Sequence, residues 1–150
     1  MVSLMQRSQD LSPFTPVLGG LAFIAFWVFV NFLVSRGGWH AFAVRYPAPT
    51  RPVGDAYGSP FMHFGLFRTH YNCVVKIILS DAGVYFYPSV LARAFHPPFI
   101  VPWGSVKRIE KKDGFLWSRY RLDIEDPAGE IHVTLPLKAE HEVLKYHKTA

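Results

Sequence analysis

One cysteine, Cys73, stands in 150 residues, so no disulfide can close within the chain. A lone thiol suits a reducing compartment. The usual signatures of chemistry are missing too. There is no CxxC, HExxH or His-x-His pattern for a metal, no GxSxG elbow for a nucleophile and no glycine-rich phosphate loop. Repeats and low-complexity tracts are absent. Only 18% of the residues are charged, and one stretch carries no charge at all.

That stretch runs from Val17 to Val34. Eighteen helical residues span roughly 27 Å, close to the roughly 30 Å hydrocarbon core of a bilayer. Thr15-Pro16 suits a helix start. Ser35-Arg36-Gly37-Gly38 reads as a polar stop and flexible exit. Ala41-Phe42-Ala43 resembles a signal-peptidase site, but the run is longer than a signal peptide's apolar core. The sequence therefore predicts a tail at 1–16 and a retained transmembrane helix at 17–35. Near the run, Arg7 stands on the N-terminal side and Arg36, Arg45 and Arg51 on the other. The positive-inside rule then puts the N-terminus outside and the following domain in the cytoplasm. Gly19 and Gly20 are candidate helix-packing positions.

Residues 36–60 read as a juxtamembrane connector, with four prolines, four glycines and three arginines. Within it Trp39, Phe42, Ala43 and Tyr46 fall at i, i+3, i+4 and i+7, the spacing of one helical face. A short interfacial helix is the expectation, with Trp39, Phe42, Tyr46, Arg36 and Arg45 at the headgroups.

From residue 61 to 150 the pattern is β structure with turn punctuation. Strands are expected at Phe61–His70, Val74–Ser80, Gly83–Pro88, Leu91–His96, Phe99–Trp103, Val106–Lys111, Leu116–Asp126 and Glu130–Leu135. Asp81-Ala82-Gly83 and Lys112-Asp113-Gly114 mark hairpins. Tyr120, Leu122 and Ile124 alternate with Arg121, Asp123 and Glu125, and Ile131, Val133 and Leu135 alternate with His132 and Thr134. Such strands bury one face only, as in an antiparallel sheet. Lys138–Lys148 suits a short helix packing through Ala139, Val143, Leu144 and His147.

This order resembles pleckstrin-homology-like and GRAM-like domains, bent barrels of about seven strands closed by a C-terminal helix. The segment Phe95-His96-Pro97-Pro98-Phe99-Ile100-Val101-Pro102-Trp103 resembles a "HPPLLIPW" run in a family of single-pass bacterial membrane proteins. In that family a Gly-Trp, Leu-Ala, Tyr element follows the membrane helix; Gly38-Trp39, Phe42-Ala43 and Tyr46 match it. Gly83-Val84-Tyr85-Phe86 matches a family strand. The resemblance implies a bacterial inner-membrane location and brings no activity with it. Gly104-Ser105-Val106 departs from the family by lacking an acidic residue. Physically, His96, Pro97, Pro98, Pro102 and Trp103 read as a structural motif, because two prolines stiffen an edge and remove two donors.

Seven histidines do not make a metal site by spacing. His63 and His70, seven apart, face opposite sides of one continuous strand. His141 and His147, six apart, diverge around a helix. Asp123, Glu125 and Asp126 read as solvated charges. No cofactor is implied. The most functional pattern is the hairpin holding Lys107, Arg108, Lys111, Lys112, Arg119 and Arg121, with Phe115, Leu116 and Trp117 at its tip. Net charge is +5, and cations around aromatics suit an anionic lipid surface or a docking face. The expectation is a non-enzymatic accessory subunit docking onto an integral-membrane complex, such as a respiratory or photosynthetic one. The alternative is a lipid-sensing module using residues 107–121. Nucleic acid is not an expected partner, since the anchor holds the domain at a membrane.

Overall fold

The computed structural model describes residues 14–65 and 69–147; Arg7, Lys148 and most of the expected tail lie outside them. Helix α1 runs from Phe14 to Arg36. It starts three residues before the charge-free run, so Thr15 and Pro16 occupy its first turn, where a missing N–H costs nothing. Its 23 residues measure about 34 Å, long and apolar enough to cross a membrane. Most of its side chains are exposed, but Asn31 and Ser35 are buried. Both return hydrogen bonds to their own helix, Asn31 Nδ2 to the Trp27 carbonyl (2.9 Å) and Ser35 Oγ to that of Phe32 (2.8 Å).

The expected flexible exit is a packed corner. A Cβ on Gly37 would collide with the Thr69 side chain, and one on Gly38, at φ +144°, with the ring of Phe64. Two glycines are needed here for close approach. The chain turns through them into α2, Trp39–Arg45. Trp39 and Phe42 are wholly buried, which corrects their expected headgroup position. Trp39 meets Phe64, Tyr71, His96 and Phe99, while Phe42 lies against Phe64 and stacks on Phe99. The amphipathic face of α2 serves the core of the β domain. The chain then follows the domain edge, where Ile100 N donates to the Tyr46 carbonyl (3.1 Å). Residues 39–59 thus belong to the domain and are not a connector.

Nine short strands form two antiparallel sheets among the described residues. The first contains β1 (Ala56–Ser59), β4 (Val75–Ser80), β5 (Gly83–Pro88) and β6 (Phe99–Val101), in the order β1-β4-β5-β6. The second contains β2 (Met62–Phe64), β3 (Thr69–Tyr71), β7 (Val106–Asp113), β8 (Ser118–Asp126) and β9 (Gly129–Pro136), in the order β3-β2-β9-β8-β7. Ser59 makes the corner between sheets, its hydroxyl donating to the carbonyls of Phe61 and Thr134 (both 2.9 Å). No closed barrel is formed by the described residues.

Three strand expectations are revised. Phe61–His70 breaks after Gly65 into the hairpin β2–β3. Leu91–His96 is not a strand; a 3₁₀ turn at Val90–Ala92 leads to Phe95 at φ +63°, and a left-handed residue ends an extended run. The strand expected over Leu116–Asp126 begins only at Ser118. The inward alternation on β8 and β9 is as read from sequence: Tyr120, Leu122, Ile124, Ile131, Val133 and Leu135 are all buried. Helix α3 (Glu140–His147) packs against both sheets, through β4 of the first and Tyr120 of β8 in the second. Glu140 accepts from Tyr120 (2.5 Å), Val143 is buried and Tyr146 stacks on Trp103. Leu144, expected on the packing side, is exposed.

Candidate functional site

The His96–Trp103 segment is fastened from both ends. The carbonyl of Pro97 accepts from Trp39 Nε1 (2.8 Å), and Trp103 Nε1 donates to the Ser80 carbonyl (2.8 Å). His96 is buried, with Nε2 at 3.0 Å from the Tyr71 hydroxyl and Nδ1 at 2.7 Å from the Ala94 carbonyl. Burial lowers the His96 pKa and raises that of Tyr71. Pro98 accepts from the Ala48 N–H (3.4 Å) and Pro102 from that of Ser105 (3.0 Å). The His96 ring and the Trp103 indole N–H both find partners within the fold, as packing requires.

Arg45 and Tyr46, expected at headgroups, converge instead on Asp126. The Tyr46 hydroxyl and Ser105 Oγ donate to Oδ2, and Ala128 N and Arg45 Nε face Oδ1 (2.9 and 2.8 Å). Asp126 is therefore no solvated charge. Asp123 is held likewise by Arg121 (2.8 Å) and by His132 Nδ1 (2.6 Å).

The hairpin β7–β8 divides its basic residues. Lys107 and Arg108 lie at the base, with Lys107 on the Gly104 carbonyl. Lys111 reaches Glu140 (3.3 Å), and Arg121 is bound to Asp123. Near the tip remain Lys112, 2.7 Å from Glu110, and Arg119, whose guanidinium lies over the Phe61 ring. Lys107 and Lys112 are about 17 Å apart along the strand, so the eight expected contact residues do not form one patch. The tip itself is bare. Phe115, Leu116 and Trp117 are 103%, 75% and 70% exposed. None folds back onto the core, and exposed apolar residues gathered in this way mark contact surfaces.

The direction of α1 can be related to this tip through its contacts with the domain. Passing back along α1, the Gly37 carbonyl meets Thr69 Oγ1 (3.2 Å), the Val34 carbonyl meets the Tyr71 hydroxyl (3.1 Å), and the Phe32 ring meets Phe95 (5.5 Å). Going from Thr69 to Tyr71 is, by register, going from Phe64 to Met62, from Ile131 to Val133 and from Ile124 to Leu122. Continued along β8, that direction ends at Ser118 and the tip. The same end of the first sheet carries Ser59, Val75 and Pro88, followed by the exposed Val90, Leu91 and Phe95. Helix α1 thus leaves the domain toward the end at which two apolar loops project.

Charge on the outer face of the second sheet is graded along the same axis. The register aligns Lys112 with Arg119 nearest the tip, then Glu110 with Arg121 and Thr134. The next row is Arg108, Asp123, His132, His63 and His70, and Glu125 with Glu130 ends the face. His63 and His70, expected on opposite sides, are cross-strand neighbours because the chain turns between them. Their ring centroids are 5.4 Å apart, and His63 stands 4.7 Å from His132. Burial and then the His132 and His70 charges lower the His63 pKa. Among the described residues no three such groups are arranged to hold a metal ion.

Two depressions flank the tip. One, about 660 Å³, is lined by Pro60, Cys73, Leu116, Trp117, Pro136 and Leu137, among others. Its neighbour, about 600 Å³, includes Lys112, Phe115, Trp117, Arg119 and Arg121. The sequence marks the tip but not the second apolar loop: Leu91 and Phe95 fall within an expected strand, Leu91–His96, and Val90 just before it. Nothing lies within 4 Å of a Cβ built on Gly19 or Gly20. Compared with protein-family models, curated proteins and solved structures, the chain matches none. The fold and the exposed end define a β domain carried on an apolar helix, and the function must be argued from that geometry.

Proposed function

We propose that this chain is a non-enzymatic, membrane-anchored interaction module whose β domain sits, loop end down, on the leaflet from which α1 emerges. One observation carries this reading: the contacts of α1 advance from Thr69 to Tyr71 to Phe95, toward the end where Leu91, Phe115 and Trp117 project. Rings and aliphatic side chains gain by entering the interface, and nearby cations gain by meeting lipid phosphates. The graded face adds to this, with Lys112 and Arg119 toward the bilayer and Glu125 and Glu130 away from it. The positive-inside rule makes that leaflet the cytoplasmic one. The module is PH-like in having a helix packed against two antiparallel sheets.

Labels on single cysteines test the seating in nanodiscs. In a Cys73→Ser background, a spin label at Leu91→Cys should report headgroup depth, and one at Asp81→Cys, in the β4–β5 turn at the other end, should report water. The reverse pattern overturns the proposal. A second reading assigns the same tip to an integral-membrane partner, since Trp117 exposed beside cations also suits a protein hot spot. Affinity isolation in mild detergent favours that reading if a stoichiometric partner is lost with Phe115→Ser and Trp117→Ser.

A further inference from the structure

The two depressions beside the tip share one wall, Leu116 and Trp117. Their chemistry differs. The first is walled mainly by Pro60, Leu116, Trp117, Pro136 and Leu137, with Arg119 at its edge. The second gathers Lys112, Arg119 and Arg121, with Asp113 and Thr134 among them; Arg121 is held by Asp123, and Lys112 makes a surface ion pair with Glu110, of the weak kind that a phosphate can displace. Arg119 lines both. An apolar trough and a basic rim, joined through one arginine, match a ligand with an apolar tail and an anionic head. Volumes of this size are typical of small-molecule sites, and the paired structure distinguishes this surface from a uniformly basic one.

We propose that the tip holds one anionic phospholipid, its phosphate on Lys112 and Arg119 and part of an acyl chain against Trp117 in the trough beside Cys73. The inference rests on the seating proposed above, which brings this end to the bilayer where such a lipid is supplied. Arg suits the head because its planar fork can meet two phosphate oxygens at once. The apolar share is additive and grows with each methylene buried. A soluble phosphate would use only the basic half.

The sole cysteine, exposed Cys73, supplies a reporter in the trough. The full chain carries a bimane on Cys73 in nanodiscs of phosphatidylcholine containing a minor fraction of lipid with brominated acyl chains. Brominated phosphatidylglycerol should quench several-fold more than brominated phosphatidylcholine at the same fraction. Arg119→Gln and Lys112→Gln should remove that preference without changing the melting temperature, and soluble glycerol phosphate should leave it intact. Native mass spectrometry of the unlabelled chain should retain one phosphatidylglycerol, lost with Arg119→Gln. Equal quenching by both lipids, or displacement by glycerol phosphate, overturns the proposal. If Cys73 is not quenched while a label at Leu91→Cys is, the lipid site fails and the seating stands. If neither is quenched, the seating fails as well.

Discussion

The hydroxyl of Tyr46 donates to the carboxylate of Asp126 at 2.5 Å, joining the end of α2 to the β8–β9 turn. Asp126 also accepts from Ser105 and Ala128 and faces Arg45, so one carboxylate ties three parts of the domain. Tyr46→Phe should cost about 1–2 kcal/mol and Asp126→Ala about 2–4 kcal/mol, because the latter leaves several buried donors unpaired. Thermal melts of the full chain check both. Burial by itself would raise the Asp126 pKa, but the bonds from Tyr46, Ala128 and Ser105 and the Arg45 charge hold it below the ordinary 3.8. The stabilisation is therefore complete above that value and is lost as pH falls through the lower folded-state pKa. Asp126→Asn should flatten this acid limb.

The histidine row gives a second pH dependence, of different origin. His63 has a folded-state pKa below the ordinary 6.5, from burial first and then from His132, His70 and Arg121, with Asp123 opposing. The unfolded chain binds that proton more readily, so the contribution is neutral above 6.5 and destabilising as pH falls below it. Among the described residues β3 pairs only with β2 and is three residues long, so it should loosen first. Amide exchange at His70 and Tyr71, corrected for intrinsic rates, should rise on acidification. His63→Gln should suppress the rise; unchanged protection in the wild type would contradict the coupling.

Trp39 distinguishes a core helix from an interfacial one. Trp39→Ala should destabilise the domain by about 3–5 kcal/mol, while α1 keeps the chain in the membrane fraction. Protease resistance and carbonate extraction, measured together, read the two effects. A headgroup tryptophan would give the opposite pair: an intact fold and weaker surface contact.

Gly83 stands at φ +144°, and a Cβ there would run into the carbonyl of Val101 on β6. Gly83→Ala should lower stability by about 1–3 kcal/mol. Gly104, with open space around it, is the control: Gly104→Ala should stay within about 0.5 kcal/mol. Melting temperatures of the two variants compare the sites directly.

Much of this architecture was legible because some signals have one physical meaning. An uncharged run of the length of Val17–Val34 has few outlets, and the alternation at Tyr120–Ile124 and Ile131–Leu135 fixes which face is inward. The Asp81-Ala82-Gly83 turn is equally specific, since Ser80 and Gly83 pair across it. Elsewhere the same pattern fitted two environments. The apolar face of Trp39, Phe42 and Tyr46 suits a headgroup layer or a protein core, and only Phe64 and Phe99, distant in sequence, decide between them. The reversal between β2 and β3 falls inside an apolar stretch, so His63 and His70 read as one strand and their pairing is hidden. Leu91 reads as part of a strand because its exposure follows from where a loop projects. The tip of β7–β8 was recognisable as basic and aromatic, but its bearing on α1 is a matter of register.

The glycine corner at Gly37–Gly38 has a mechanical consequence. A helix joined to a domain through packed glycines, with the next helix sealed in that domain's core, acts as a spindle. In the proposed seating, twisting or tilting of α1 would be delivered to the sheets as rotation of the whole body. A force applied to that helix would then reach the outermost strands without a slack segment to absorb it.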